Sequence, residues 1–149
     1  MPARAEFGFF GYLWLAFVAA LAARALLLEG TRKKQFRHYA QNHGLNYIGA
    51  ALPASFPLDK TSVHRSGWIR NAVAGQMSGM DLLFFDCAVG TGKGRRTQTV
   101  VALRGPVERF GTLRFDPSLT TEKIGEWTLL FRPRERLAVE DIELLLLRL

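Results

Sequence analysis

The stretch WIRNAVAGQMSGMDLLFFDCAV, Trp68–Val89, decides the fold. Two apolar-rich runs, Trp68–Met77 and Met80–Val89, meet at Ser78-Gly79, a dipeptide suited to a two-residue hairpin turn. Such a turn sets Asn71 opposite Asp86, Val73 opposite Phe84 and Gly75 opposite Leu82. An amide and a carboxylate on an otherwise apolar face have to satisfy each other, because burying either alone is costly. Asn71 and Asp86 are therefore expected to share a hydrogen bond that pins strand register or, if they line a cleft, serves binding or acid–base chemistry. A bulge at Gly79 would shift this register by one residue.

Working outward, Thr97–Arg104 extends the meander beyond the loop Gly90–Arg96, and Gly111–Phe115 reads as a further short strand. Trp127–Arg132 alternates Trp127, Leu129 and Phe131 against Thr128, Leu130 and Arg132, and Pro133 stops it. Upstream, LNYIGA (Leu45–Ala50) reads as a strand, and ALPASFPLDKTSVHRSG (Ala51–Gly67) as an irregular connection. From about Leu137 the period turns helical, with Val139, Ile142, Leu145, Leu146 and Leu149 on one face and Leu144 and Leu147 widening it. Glu140 and Asp141 suit that helix's first turn. TRKKQFRHYAQNH (Thr31–His43) reads as a basic helix with a narrow stripe of Phe36, Tyr39 and Ala40, ended by Gly44 in the left-handed conformation. The expected class is α+β, an antiparallel sheet covered by helices.

Ahead of this domain stands FGFFGYLWLAFVAALAARALLL, Phe7–Leu28, with Arg24 its single charge. As a helix it spans roughly 33 Å, about the hydrocarbon thickness of a bilayer. The segment predicts a transmembrane anchor, residues 1–30, followed by a domain, residues 31–149. Two other readings exist. Ala20-Leu21-Ala22 and Ala23-Arg24-Ala25 satisfy a signal-peptidase pattern, although the leading charge is only Arg4 beside Glu6 and the continuation is strongly basic. A core helix is the other, but so short a chain can hardly enclose a helix apolar on every side. Arg32, Lys33, Lys34 and Arg37 flank the span on its C-terminal side, so the positive-inside rule predicts a single-pass protein of the cytoplasmic (inner) membrane, with the N-terminus outside and the domain in the cytoplasm.

The formal net charge is +7, and because Arg4 and Arg24 offset Glu6 and Glu29 the excess lies wholly beyond residue 30. Such a balance suits an anionic partner, either lipid head groups or nucleic acid. With a membrane already implied, Arg32, Lys33, Lys34, Arg37, Lys93, Arg95 and Arg96 are assigned to anionic lipid, the alternative being a solvated face that merely fixes topology. The loop Gly90–Arg96 lacks the interleaved aromatics that single-stranded nucleic acid favours. GTGKG (Gly90–Gly94) is no phosphate loop, since Cys87 and Gly94 stand where the pattern needs Gly and Ser or Thr. Cys87 is the single cysteine, which excludes an intramolecular disulfide and a thiolate zinc cluster. His38, His43 and His64 lack metal-ligand spacing, and neither a metal nor a cofactor is expected. Asp59 and Ser62 near His64 form a constellation that chance often supplies. The leading expectation is an anchored interaction domain, with an unidentified protein partner conceivable beside the lipid. An enzyme using Asp86 or His64, or a basic nucleic-acid module, is the alternative.

One resemblance bears on this. Arg70-Asn71-Ala72-Val73-Ala74-Gly75 followed by Phe84-Phe85-Asp86 resembles the "R-N-x-(V/L)-x-G … F-D-Y" pattern of small bacterial membrane-anchored domains of unknown function. Tyr39-Ala40…His43-Gly44-Leu45-Asn46-Tyr47 is similar to their "A…HG(W/F)xY" opening. The likeness covers about Lys33 to Pro117, with Cys87 in place of the Tyr. It implies the fold and the anchoring, and no activity.

Overall fold

The computed structural model describes residues 3–65, 67–105 and 117–147, with side chains from Phe10 onward. The chain forms two compact units, Met1–Lys34 and Gln35–Leu149.

The first unit is helical. Helix α1 (Ala3–Asn42) passes through Gly30 and Thr31 without a break, so the expected separation of the span from the basic helix is not there. A lone glycine costs a helix about 1 kcal/mol relative to alanine, too little to interrupt one this long, and Thr31 Oγ1 bonds back to Leu27 O at 2.9 Å. The apolar side chains stand in the open, Trp14 at 70 % and Leu26 at 74 % exposed. This helix is long and apolar enough to cross a membrane, and none of its apolar window is buried within the protein. That rules out the core-helix reading.

The second unit opens on the last turns of α1. Leu45 N–H bonds Ala40 O at 2.8 Å and Gly44 N–H reaches Gln41 O at 3.5 Å, with Gly44 at φ +66°. This is the Schellman termination that the glycine predicts. The chain then builds a six-stranded antiparallel sheet from β1 (Asn46–Gly49), β2 (Ile69–Met77), β3 (Met80–Val89), β4 (Arg96–Arg104), β5 (Thr120–Ile124) and β6 (Trp127–Phe131), in the order β1-β2-β3-β4-β6-β5. Ser78 and Gly79, both with positive φ, close the expected two-residue turn between Met77 and Met80. The expected strand Gly111–Phe115 lies outside the described residues. The edge strand β5, by contrast, carries no apolar alternation to announce it: Thr120, Thr121 and Lys123 are exposed, and among the described residues it pairs with β6 alone.

The sheet is buried on both faces. Phe84, Leu82, Val101, Leu103 and Leu130 face Phe36, Tyr39 and Ala40 of α1 and Ile142 and Leu146 of α2 (Val139–Leu146). Phe36 and Tyr39 meet the Phe84 ring edge-on at 5.2 and 5.7 Å. The opposite face, Leu83, Phe85, Cys87, Val100 and Leu129, lies beneath Phe56 and Val63. The irregular connection is thus a lid rather than a spacer. Phe56 packs against Phe85 and Trp127, and Trp127 Nε1 donates to Ser55 O at 3.3 Å. Burying both faces also explains why every residue of β6 is buried, despite its two-fold alternation. On α2, Leu144 and Leu147 remain exposed, as a stripe wider than the sheet requires.

Candidate functional site

The sequence singled out Asn71 and Asp86, and the structure joins them in a different register. From Val73↔Phe84 to Met77↔Met80 the ladder follows the expected pairing, but beyond it Arg70 faces Asp86 and Ile69 faces Cys87. Asn71 and Ala72 together oppose Phe85, which is a β-bulge. It lies here rather than at Gly79. Asn71 takes φ 55°, a left-handed conformation that asparagine tolerates better than most residues. Its side chain still reaches inward, on the same face as Val73 and Phe84.

Asp86, fully buried, is the hub of a polar chain. Asn71 Nδ2 donates to its Oδ2 at 3.2 Å, and Thr99 Oγ1, directly across the ladder, donates to its Oδ1 at 2.7 Å. Thr99 Oγ1 in turn accepts Leu137 N–H at 3.1 Å, while Thr99 N–H bonds Glu135 O at 3.2 Å. At the other end Tyr47 Oη donates to Asn71 Oδ1 at 3.2 Å. The chain therefore ties β1, β2, β3 and β4 to the segment leading into α2. Thr99 was legible in principle, since it alternates with Val101 and Leu103 toward the face of Asp86; Tyr47 was not.

Tyr47, half-buried, is the network's outermost member. It lines a polar groove of about 360 Å³ with Arg37 and Gln41, and the Arg37 guanidinium lies 5.0 Å from its ring centre. Its phenol is pushed up by burial, against the pull of Arg37, and the Asp86 charge adds to the rise. Nearby, Tyr39 stacks on His43 at 4.2 Å, and His43 Nε2 lies 3.9 Å from Glu143. Burial, then the Glu143 charge, pushes the Tyr39 phenol up to about 12.

The Asp59, Ser62 and His64 constellation does not assemble. Ser62 gives both its N–H (2.8 Å) and its hydroxyl to Glu122 of β5, and His64 Nδ1 lies 2.7 Å from Thr61 O. Ser62 thereby ties the connection to β5, and Glu122 was invisible to sequence reasoning because its strand was. Among the described residues no group of three His, Cys, Asp or Glu side chains is placed to hold a metal ion.

The cations assigned to lipid fall into separate groups. Lys33 and Lys34 are exposed on α1 in the first unit, whereas Arg32 there is 8 % exposed and largely withdrawn from solvent. Arg37 lies over Tyr47 in the second unit. Lys93, Arg95 and Arg96 are exposed on the β3–β4 loop and the start of β4, where Gly92–Gly94 forms a short 3-10 turn. Around them gather cations the sequence did not group. Arg65 is exposed on the approach to β2, and the Arg95 guanidinium occupies the space a Cβ on Gly67 would need. Arg70 stacks on Trp68 at 4.6 Å. Arg134, whose N–H bonds Gln98 Oε1 at 2.9 Å, joins from beyond β6. No protein-family model, curated protein or solved structure matches the chain.

Proposed function

We propose that the protein is a single-pass membrane-anchored protein whose second unit is a small basic α+β domain held at the cytoplasmic membrane face for interaction rather than catalysis. The observation that carries this reading is the wholly exposed apolar helix that continues, unbroken, into a compact sheet domain. In water, so many exposed leucines and aromatics are a liability, and in a bilayer they are the solvent-matched surface. Asp86 supports an interaction role as well: each of its oxygens accepts a hydrogen bond inside the core, which is the work of a fold-specifying group. The motif resemblance to small anchored domains points the same way.

Alkaline carbonate extraction of membranes tests the anchoring. The full-length protein is expected to stay in the pellet. A soluble product shortened after Ala22 or Ala25 would establish a cleaved leader and overturn the reading.

A further inference from the structure

We propose that the end of the sheet carrying the β3–β4 loop docks onto the anionic head groups of the membrane that holds the anchor, an inference that rests on the anchoring proposed above. Six exposed cations, Arg65, Arg70, Lys93, Arg95, Arg96 and Arg134, are gathered at this end from four separate segments of the chain. The Glu135 carboxylate beside them is engaged 3.6 Å from Arg132. At the opposite end of the sheet Arg104 pairs with Asp81 at 3.0 Å and lies 4.0 Å from Glu126. Among the described residues these six cations therefore stand together at one end of the sheet, away from the Arg104–Asp81 pair.

Two further observations favour a lipid surface as the occupant. Within the second unit the last turns of α1 run from Phe36, over Phe84 in mid-strand, to Tyr39 and His43 beside Met77 and Ser78. Within this unit the helix thus travels away from the basic end. By sequence only six residues separate Leu28 from Gln35, a tether of roughly 10 Å as helix and about 25 Å at full extension. Head groups are therefore always at high effective concentration. In addition, half-buried Trp68 under the Arg70 guanidinium is an aromatic–cation pair of the kind that residues at a bilayer interface form. Nucleic acid fits less well, because stacked bases need free aromatic faces and Arg70 already covers the Trp68 ring.

The test uses the full chain in nanodiscs of phosphatidylcholine, with or without phosphatidylglycerol, containing a head-group quencher. A fluorophore is placed on Thr91→Cys at the basic end or on Glu126→Cys at the other; Cys87 is fully buried and does not compete. Co-elution with the discs reports the anchoring. The Thr91 position is expected to be quenched several-fold more in anionic than in neutral discs, with the difference lost at high salt. The Glu126 position is expected to be indifferent to lipid charge. Arg95→Gln, Arg96→Gln and Arg134→Gln are each expected to weaken docking about fivefold at low salt. Co-elution with equal quenching at the two positions, or quenching of Thr91 that ignores lipid charge, overturns the docking and leaves the anchoring intact. Absence from the disc fraction overturns both. Release of the Thr91 position from anionic discs by a short single-stranded oligonucleotide at physiological salt overturns the lipid assignment in favour of nucleic acid.

Discussion

Asn71 Nδ2 donates to Asp86 Oδ2 across 3.2 Å, although the residue that faces Asp86 in the ladder is Arg70. The bulge lets one strand do two things at neighbouring positions. Arg70 is left exposed, while Asn71, 5 % exposed, stays in the core. The edge strand follows the same irregularity, because the β1 register slips between Tyr47 and Gly49 opposite Val73 and Ala72. A short, bulged edge is a poor template for pairing with another strand.

The left-handed backbone at Asn71 reverses the usual ranking of substitutions in a strand. Asn71→Gly loses two hydrogen bonds but keeps φ 55° without strain. Asn71→Ala loses the same bonds and adds about 1–2 kcal/mol of left-handed strain. The alanine variant is expected to be the less stable of the two in urea unfolding of the full-length protein in nanodiscs, followed by tryptophan fluorescence. If glycine were the worse substitution, the conformation assigned to Asn71 would be wrong.

The same strain makes an apolar replacement at Asn71 unsuitable for measuring the network, so Thr99 is the better partner for a cycle with Asp86. Thr99→Val keeps the shape, but it removes the donor to Asp86 Oδ1 and the acceptor of Leu137 N–H. Each buried group left unmet costs about 1–3 kcal/mol. With Asp86→Ala as the second change, the double variant is expected to lose about 0.5–3 kcal/mol less than the single losses combined. Additive losses would mean that the two side chains do not act together.

The Asn71–Asp86 contact was legible because polar residues interrupting an apolar hairpin at facing positions have few ways to be satisfied. The bulge was not, since it depends on the conformation of one residue and leaves no mark on apolar alternation. The lid, residues 51–65, escaped for a related reason: its anchors, Phe56 and Val63, follow no period, and Glu122, which holds Ser62, lies sixty positions away. The basic end was half legible. Lys93, Arg95 and Arg96 are contiguous, but Arg65, Arg70 and Arg134 join them only through strand order.

The Tyr39 phenol gives the fold a signature at high pH. Burial, and after it the Glu143 charge, holds its pKa up to about 12, above the ordinary 10.0. The folded state therefore keeps this proton where the unfolded chain releases it. The contribution is complete below pH 10 and is lost as pH rises through 12. Ultraviolet titration is expected to show a tyrosine that ionises near pH 12 and is absent from Tyr39→Phe. Stability should decline between those pH values more steeply in the parent than in the variant. A Tyr39 that ionises near pH 10 in the folded protein would contradict its burial against Phe84.

The proposed orientation rests on Arg32, Lys33, Lys34 and Arg37, which outweigh Arg4 and its neighbour Glu6 across the proposed span. Only cations near the ends of the span set topology, so Arg32 counts here even though it is 8 % exposed. A Thr91→Cys variant supplies a reporter on the exposed β3–β4 loop, with Cys87 fully buried and silent. In sealed right-side-out vesicles a membrane-impermeant thiol reagent is expected to leave Thr91→Cys unmodified, and in inverted vesicles to modify it fully. Lys33→Glu combined with Lys34→Glu should shift a fraction of molecules to the opposite orientation, because it removes two of the four cations that retain this flank. Modification of the parent reporter in sealed right-side-out vesicles would place the domain outside. The docking of its basic end would then have to be sought on the outer leaflet.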